Sequence, residues 1–193
     1  MIERHNINDE KKIISKNYFS IFLILCTFVF VILTIIFVVF YQVFEKSVFK
    51  TLAISFGTTA YHFVMRLCVG FLIHVIFKNN FDYRKKWFQE KSFEKKLYKK
   101  LKVKSWKDKM PTFNPVFFDL KCNSSEEIAR AMCQAEIVHT IIFVLSFLPV
   151  LATIFFESFW VFFITSFLSA NFDIMFIILQ RFNRPRILKM KKR

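Results

Sequence analysis

Four long apolar segments alternate with short or strongly basic ones along this chain. Phe19 to Phe44 contains no charged residue and would reach roughly 39 Å as a helix at 1.5 Å per residue. Leu52 to Phe77 is similar in length, with the span set at 51–77, and carries His62, Arg66 and His74. Two further spans, at 136–156 and 159–180, are parted only by Glu157 and Ser158. So tight a connection predicts an antiparallel helical hairpin. The first segment is too long for a signal-peptide core and has no small-residue cleavage site after it, so it is expected to stay as an anchor. The pattern predicts an all-α polytopic membrane protein with four transmembrane helices.

Between the second and third spans lies a basic segment, 78–135, with its own pattern. From Arg84 to Leu101, the residues Trp87, Phe93, Leu97, Tyr98 and Leu101 fall in one arc of a helical wheel, and lysines cover most of the rest. Phe88, Glu90 and Glu94 interrupt that division. The expectation is a basic amphipathic helix lying on an anionic membrane surface. Nucleic-acid binding through the same lysines is the rival, disfavoured by the hydrophobic spans on either side. Pro111 and Pro115 break the helix, and Asn114 to Lys121 reads as an irregular link. A second helix is expected from Ser124 or Ser125, with Glu126 and Glu127 suiting its first turn.

Charge sets the orientation. The net charge is +15, and the Lys and Arg residues cluster between spans. The tail 1–18 carries four, the segment from Lys78 to Glu136 fifteen, the turn at Glu157 none and the tail 181–193 seven. Both termini and the long loop are therefore expected on the cytoplasmic side of the cell membrane. Composition agrees: more than half of the 193 residues are apolar, too many for a soluble domain of this size to hide. The four cysteines form no CxxC pair and are expected as free thiols.

Polar residues inside the spans need a reason, since a central arginine costs a few kcal/mol at least. Thr58, His62, Arg66, Gly70 and His74 wind down one face of the second span, and Ser166, Ser169, Asp173 and Gln180 share a face of the fourth. Asn171 sits beside that stripe. Glu136 and His139 are i,i+3 neighbours at the entry to the third span. Apart from the deeper Arg66, the lower members of these sets lie within about two turns of the cytoplasmic boundary, the level of a site opening to the inner leaflet. Plainer roles stay open: His74, Glu136 and Gln180 as interfacial caps, and Arg66 paired with Asp173 to hold the bundle. Glu136 and His139 are too few to make a metal site, and none is expected. There is no Gly-rich phosphate loop, no GxSxG and no His-x4-Asp.

The motifs that remain are Trp106-Lys107-Asp108-Lys109-Met110-Pro111, then Ala135-Glu136-Ile137-Val138-His139, then Ala170-Asn171, then Gln180-Arg181-Phe182-Asn183-Arg184-Pro185-Arg186. In that order and spacing they resemble the glycosyl-4,4′-diaponeurosporenoate acyltransferases, small membrane enzymes of carotenoid synthesis, from about Phe81 to Leu188. The two spans before Phe81 fall outside the pattern, and Asp173 stands where those proteins tend to have Pro. The resemblance implies transfer of a fatty acyl group to a sugar hydroxyl of a glycosylated carotenoid, or of another lipid-linked acceptor. No cofactor is expected; the acyl donor would be an acyl-CoA or an acyl-carrier protein. On this reading His139 is the general base, Glu136 orients it, and Asn171 donates to the developing oxyanion. Arg66, Trp106, Lys107, Gln180, Arg181, Asn183, Arg184 and Arg186 would bind substrates, with Arg181, Arg184, Arg186 and the basic loop holding the phosphorylated donor. A non-catalytic membrane scaffold or lipid-binding subunit is the alternative. A transporter is less favoured, because no internal repeat is visible.

Overall fold

The computed structural model describes residues 18–190, all of whose regular structure is helical. The basic tail residues Arg4, Lys11, Lys12 and Lys16, and the last three residues, lie outside the described residues. Four helical stretches are long and apolar enough to cross a membrane, as expected of a multi-pass membrane protein. Helix α1 is Tyr18–Phe44 and α2 is Ser47–Phe77. Only Glu45 and Lys46 separate them, and Glu45 adopts a left-handed φ of 51° that ends α1. The second helix therefore starts earlier than the expected 51, and takes Lys50 into its first turn.

No residue of α1 is buried. Its polar side chains Thr27 and Thr34 hydrogen-bond their own helix, at the carbonyls of Leu23 and Phe30, so lipid can surround them without an unmet group. It leans on α2 through aromatic contacts, Phe37 stacking on Phe56 with centroids 5.3 Å apart. At Gly57 the helices lie close together, and an added Cβ would lie 3.3 Å from the Thr34 methyl. The core is instead α2 packed with α5 (Ser125–Leu145) and α8 (Phe159–Met190). Helix α5 starts with a reciprocal cap: the Ser124 hydroxyl accepts from the Glu127 amide, and the Glu127 carboxylate accepts from the Ser124 amide.

The third span is a broken helix. After Leu145 the chain passes through Ser146 and Phe147 into two single turns, α6 (Leu148–Leu151) and α7 (Thr153–Phe156). Pro149 lacks the N–H that would have bonded the Leu145 carbonyl four residues earlier. Tyr61 of α2 supplies the missing donor, its hydroxyl 2.9 Å from that carbonyl. Glu157, at φ 53°, then turns the chain into α8.

The segment between α2 and α5 departs most from expectation. In place of one helix over Arg84 to Leu101 there is a 3-10 turn at Lys86–Phe88, an extended stretch, and a nine-residue helix α3 (Ser92–Lys100). A one-turn helix α4 (Val103–Trp106) follows. The break has a cause: the carbonyls of Trp87, Phe88 and Gln89 accept hydrogen bonds from guanidinium groups of α8, which a continuous helix would have denied them. Nor does α3 present a purely apolar face to lipid. Glu94 and Tyr98, one turn apart, point inward, with the Tyr98 hydroxyl donating to the Glu94 carboxylate at 2.8 Å. Trp87 and Phe93 remain exposed. Helix α8 runs on to Met190 through Pro185, so 181–190 is helical rather than a loose tail, and α3 docks on it. Ser20 at the start of α1 donates to the Phe113 carbonyl, so that helix begins on the same side as this segment and the end of α8.

Candidate functional site

Helices α5 and α8 run antiparallel, so Glu136, nearer the loop, meets the far end of α8, and His139, one turn deeper, meets its middle. Two separate polar centres result.

The first is an ion-pair clamp. The Glu136 carboxylate is 1% exposed and accepts from Arg181 Nη1 at 2.6 Å and from Arg184 Nη2. Arg181 also donates through Nε and Nη2 to Glu94 Oε1, at 2.9 and 2.6 Å, and to the carbonyls of Trp87 and Gln89. Arg184, 2% exposed, donates to the carbonyls of Phe88 and Met132 and lies over the Phe88 ring. Two carboxylates and two guanidiniums thus neutralise one another, as buried charges must. Burial, and secondarily the hydrogen bond to Glu94, pushes the Tyr98 phenol well above its usual range. Trp106 joins the apolar side of this clamp with Tyr98, Val103 and Phe182, its indole N–H donating to the Leu101 carbonyl at 3.0 Å.

The second centre is a dyad deeper in the bundle. His139 Nδ1 lies 2.8 Å from Asp173 Oδ1, and Arg66 of α2 reaches the other oxygen, Oδ2, at 2.5 Å. Asp173 is fully buried. Arg66 is held in place by the Ser169 hydroxyl and carbonyl and by the carbonyl of His62. Ser169 continues to Ser146, 3.0 Å away, which ties the dyad to the break in the third span. The His139 ring stacks on Phe176 with centroids 4.4 Å apart and planes at 5°. Its side chain is 20% exposed. When Nδ1–H donates to Asp173, Nε2 is the ring nitrogen left to accept a proton.

Several expected roles change. Glu136 does not orient His139, because both its oxygens are taken by arginines; Asp173 occupies that position. Asn171 lies outside the cluster: it is exposed and its amide donates to the Phe167 carbonyl of its own helix. Arg181 and Arg184 spend their guanidiniums inside the protein and cannot hold a donor's phosphates. Arg66 serves Asp173, the plainer of its two expected roles. Gln180 is buried and Asn183 half-buried on α8. Lys107 pairs with Asp108 at 2.6 Å, and Arg186 bonds the Phe182 carbonyl and lies over that ring. Among the described residues no group of three or more metal-binding side chains occurs. Glu94 interrupts the amphipathic pattern of the loop, and its i,i+4 spacing from Tyr98 is the sequence signal of its inward role. Asp173 had a signal too, the i,i+3,i+7 series with Ser166 and Ser169.

A family model described as glycosyl-4,4′-diaponeurosporenoate acyltransferase matches residues 84–193. No curated protein and no solved structure matches the chain.

Proposed function

Because the chain belongs to the glycosyl-4,4′-diaponeurosporenoate acyltransferase family, we propose that it transfers a fatty acyl group from a thioester to a sugar hydroxyl of a glycosylated, carotenoid-like lipid, with His139 as the base. The observation that carries this reading is the His139–Asp173 contact at 2.8 Å on a side chain that is 20% exposed. His139 Nε2 takes the acceptor hydroxyl's proton as its oxygen attacks the thioester carbonyl. The C–S bond breaks as the ester C–O bond forms, and the departing thiolate takes the proton back from Nε2–H. The products are an ester and a free thiol, and His139 returns to its starting state. Asp173 is a positioning residue: it orients the ring through Nδ1 and steadies the transient imidazolium, and Arg66 fixes its other oxygen. The donor is an acyl-CoA or acyl-carrier protein. Glycosylated lipid approaches from the membrane, and the excess of lysine in the loop supports a cytoplasmic position for that face and both termini.

The test is ester formation in a host that makes the glycosylated acceptor, followed by mass spectrometry of lipid extracts. His139→Ala should abolish the ester while the protein still accumulates in membranes. Asp173→Asn should leave some turnover but move the pH profile, which loss of packing alone would not do. Undiminished ester from His139→Ala would remove it from the role. The alternative, a non-catalytic scaffold or lipid-binding subunit, predicts no ester from the wild-type chain either.

A further inference from the structure

The loop and the last turns of α8 enclose a groove of about 550 Å3 that neither polar centre uses. Its floor is apolar, with Val103 fully buried beside Phe182. Lys102, at a left-handed φ of 49°, turns the chain so that Val103 drops into this floor while Lys102 and Lys104 stay at the rim. Lys99, Arg186 and Lys189 complete that rim. One carboxylate also lines it, Glu90, which lies 3.9 Å from Lys95. Among the described residues, no carboxylate lies within ion-pair distance of Lys99, Lys102, Lys104 or Lys189. Cations gathered around a concavity with low-dielectric walls focus a positive potential into it and attract multivalent anions.

We infer that this groove binds the phosphorylated nucleotide end of a coenzyme A thioester, the acyl donor; this rests on the acyl-transfer reading above. Three phosphates close together neutralise several lysines at once, which a single carboxylate could not. The volume lies in the range of small-molecule sites. Phe182 stands nine residues beyond Asp173 on α8, about 14 Å along the axis. Nine residues also carry the chain about half a turn around the helix, so an extended pantetheine arm would pass around α8 as well as along it to bring the thioester to His139. Phosphate on an anionic lipid headgroup offers the same chemistry from another source.

The experiment is calorimetric titration of the full chain, in nanodiscs of phosphatidylcholine, with coenzyme A. The variant Lys99→Gln/Lys102→Gln/Lys104→Gln changes only exposed side chains, and its thermal unfolding is checked against wild type. Saturable binding is expected, at least about tenfold weaker in the triple variant, and weaker still as salt rises to roughly 0.3 M. Binding should persist in His139→Ala, so a failed groove and a failed base are separable. Binding equal in wild type and triple variant overturns the proposal. So does an absence of coenzyme A binding, whether or not the protein takes up phosphatidylglycerol or holo-acyl carrier protein.

Discussion

Replacing Glu136 with Leu should destabilise the protein by about 3–5 kcal/mol, because it leaves two guanidiniums partly uncompensated in the interior. The structure gives the same size by another route. Two charge-assisted hydrogen bonds are lost, to Arg181 and Arg184, each contributing about 1.5–3 kcal/mol. Arg181 retains Glu94, but Arg184 is 2% exposed and retains only backbone carbonyls. Set against a typical total of about 5–15 kcal/mol, the loss should be plain. Unfolding in mixed micelles, followed by far-ultraviolet circular dichroism, measures it. Trypsin provides a local readout: once the clamp opens, the lysines of α3 and its flanks become faster sites of cleavage. Adding Arg184→Met to Glu136→Leu removes the orphaned charge and should recover at least about 2 kcal/mol of the loss, since hydrophobic replacement of a whole buried pair is often neutral. The reasoning fails if Glu136→Leu unfolds within about 1 kcal/mol of wild type. It fails equally if the double variant is less stable than the single one.

Two smaller perturbations follow from the same bonds. Tyr61→Phe leaves the Leu145 carbonyl without a donor at the break before Pro149 and should cost about 1–3 kcal/mol, read in the same unfolding assay; Pro149→Ala in that background should restore part of it by returning an N–H. The Tyr98 phenol, raised by burial and by Glu94, should stay protonated in ultraviolet titration after the exposed tyrosines have ionised. A folded pKa above the unfolded value of 10.0 means the unfolded chain gives up its proton first. Its stabilisation is therefore complete below pH 10 and declines as pH rises beyond it, a slope that Tyr98→Phe should remove.

Much of the fold was legible because lipid imposes simple rules. Apolar stretches of this length must be helices, since no water in the bilayer can satisfy their backbone groups. The tight turns, the cap at Ser124 and the all-helical class follow from length, spacing and side-chain chemistry alone. The polar stripes also predicted which faces turn inward, as the burial of His62, Ser166 and Asp173 shows. Partner choice was a different matter. Glu136 and His139 share a helix at i,i+3, yet their partners are set by which residues of α8 stand at each depth. An antiparallel neighbour gives the upper one arginines and the lower one an aspartate. Likewise, the helical wheel over Arg84 to Leu101 counted side chains, whereas the break there is decided by backbone carbonyls that arginines nearly a hundred residues away compete for. Periodicity reports what a segment does with its own neighbours. Long-range hydrogen bonds report what the packed bundle offers instead, and here they converted three motif residues, Glu136, Arg181 and Arg184, from expected chemistry into the clamp that holds the loop against α8.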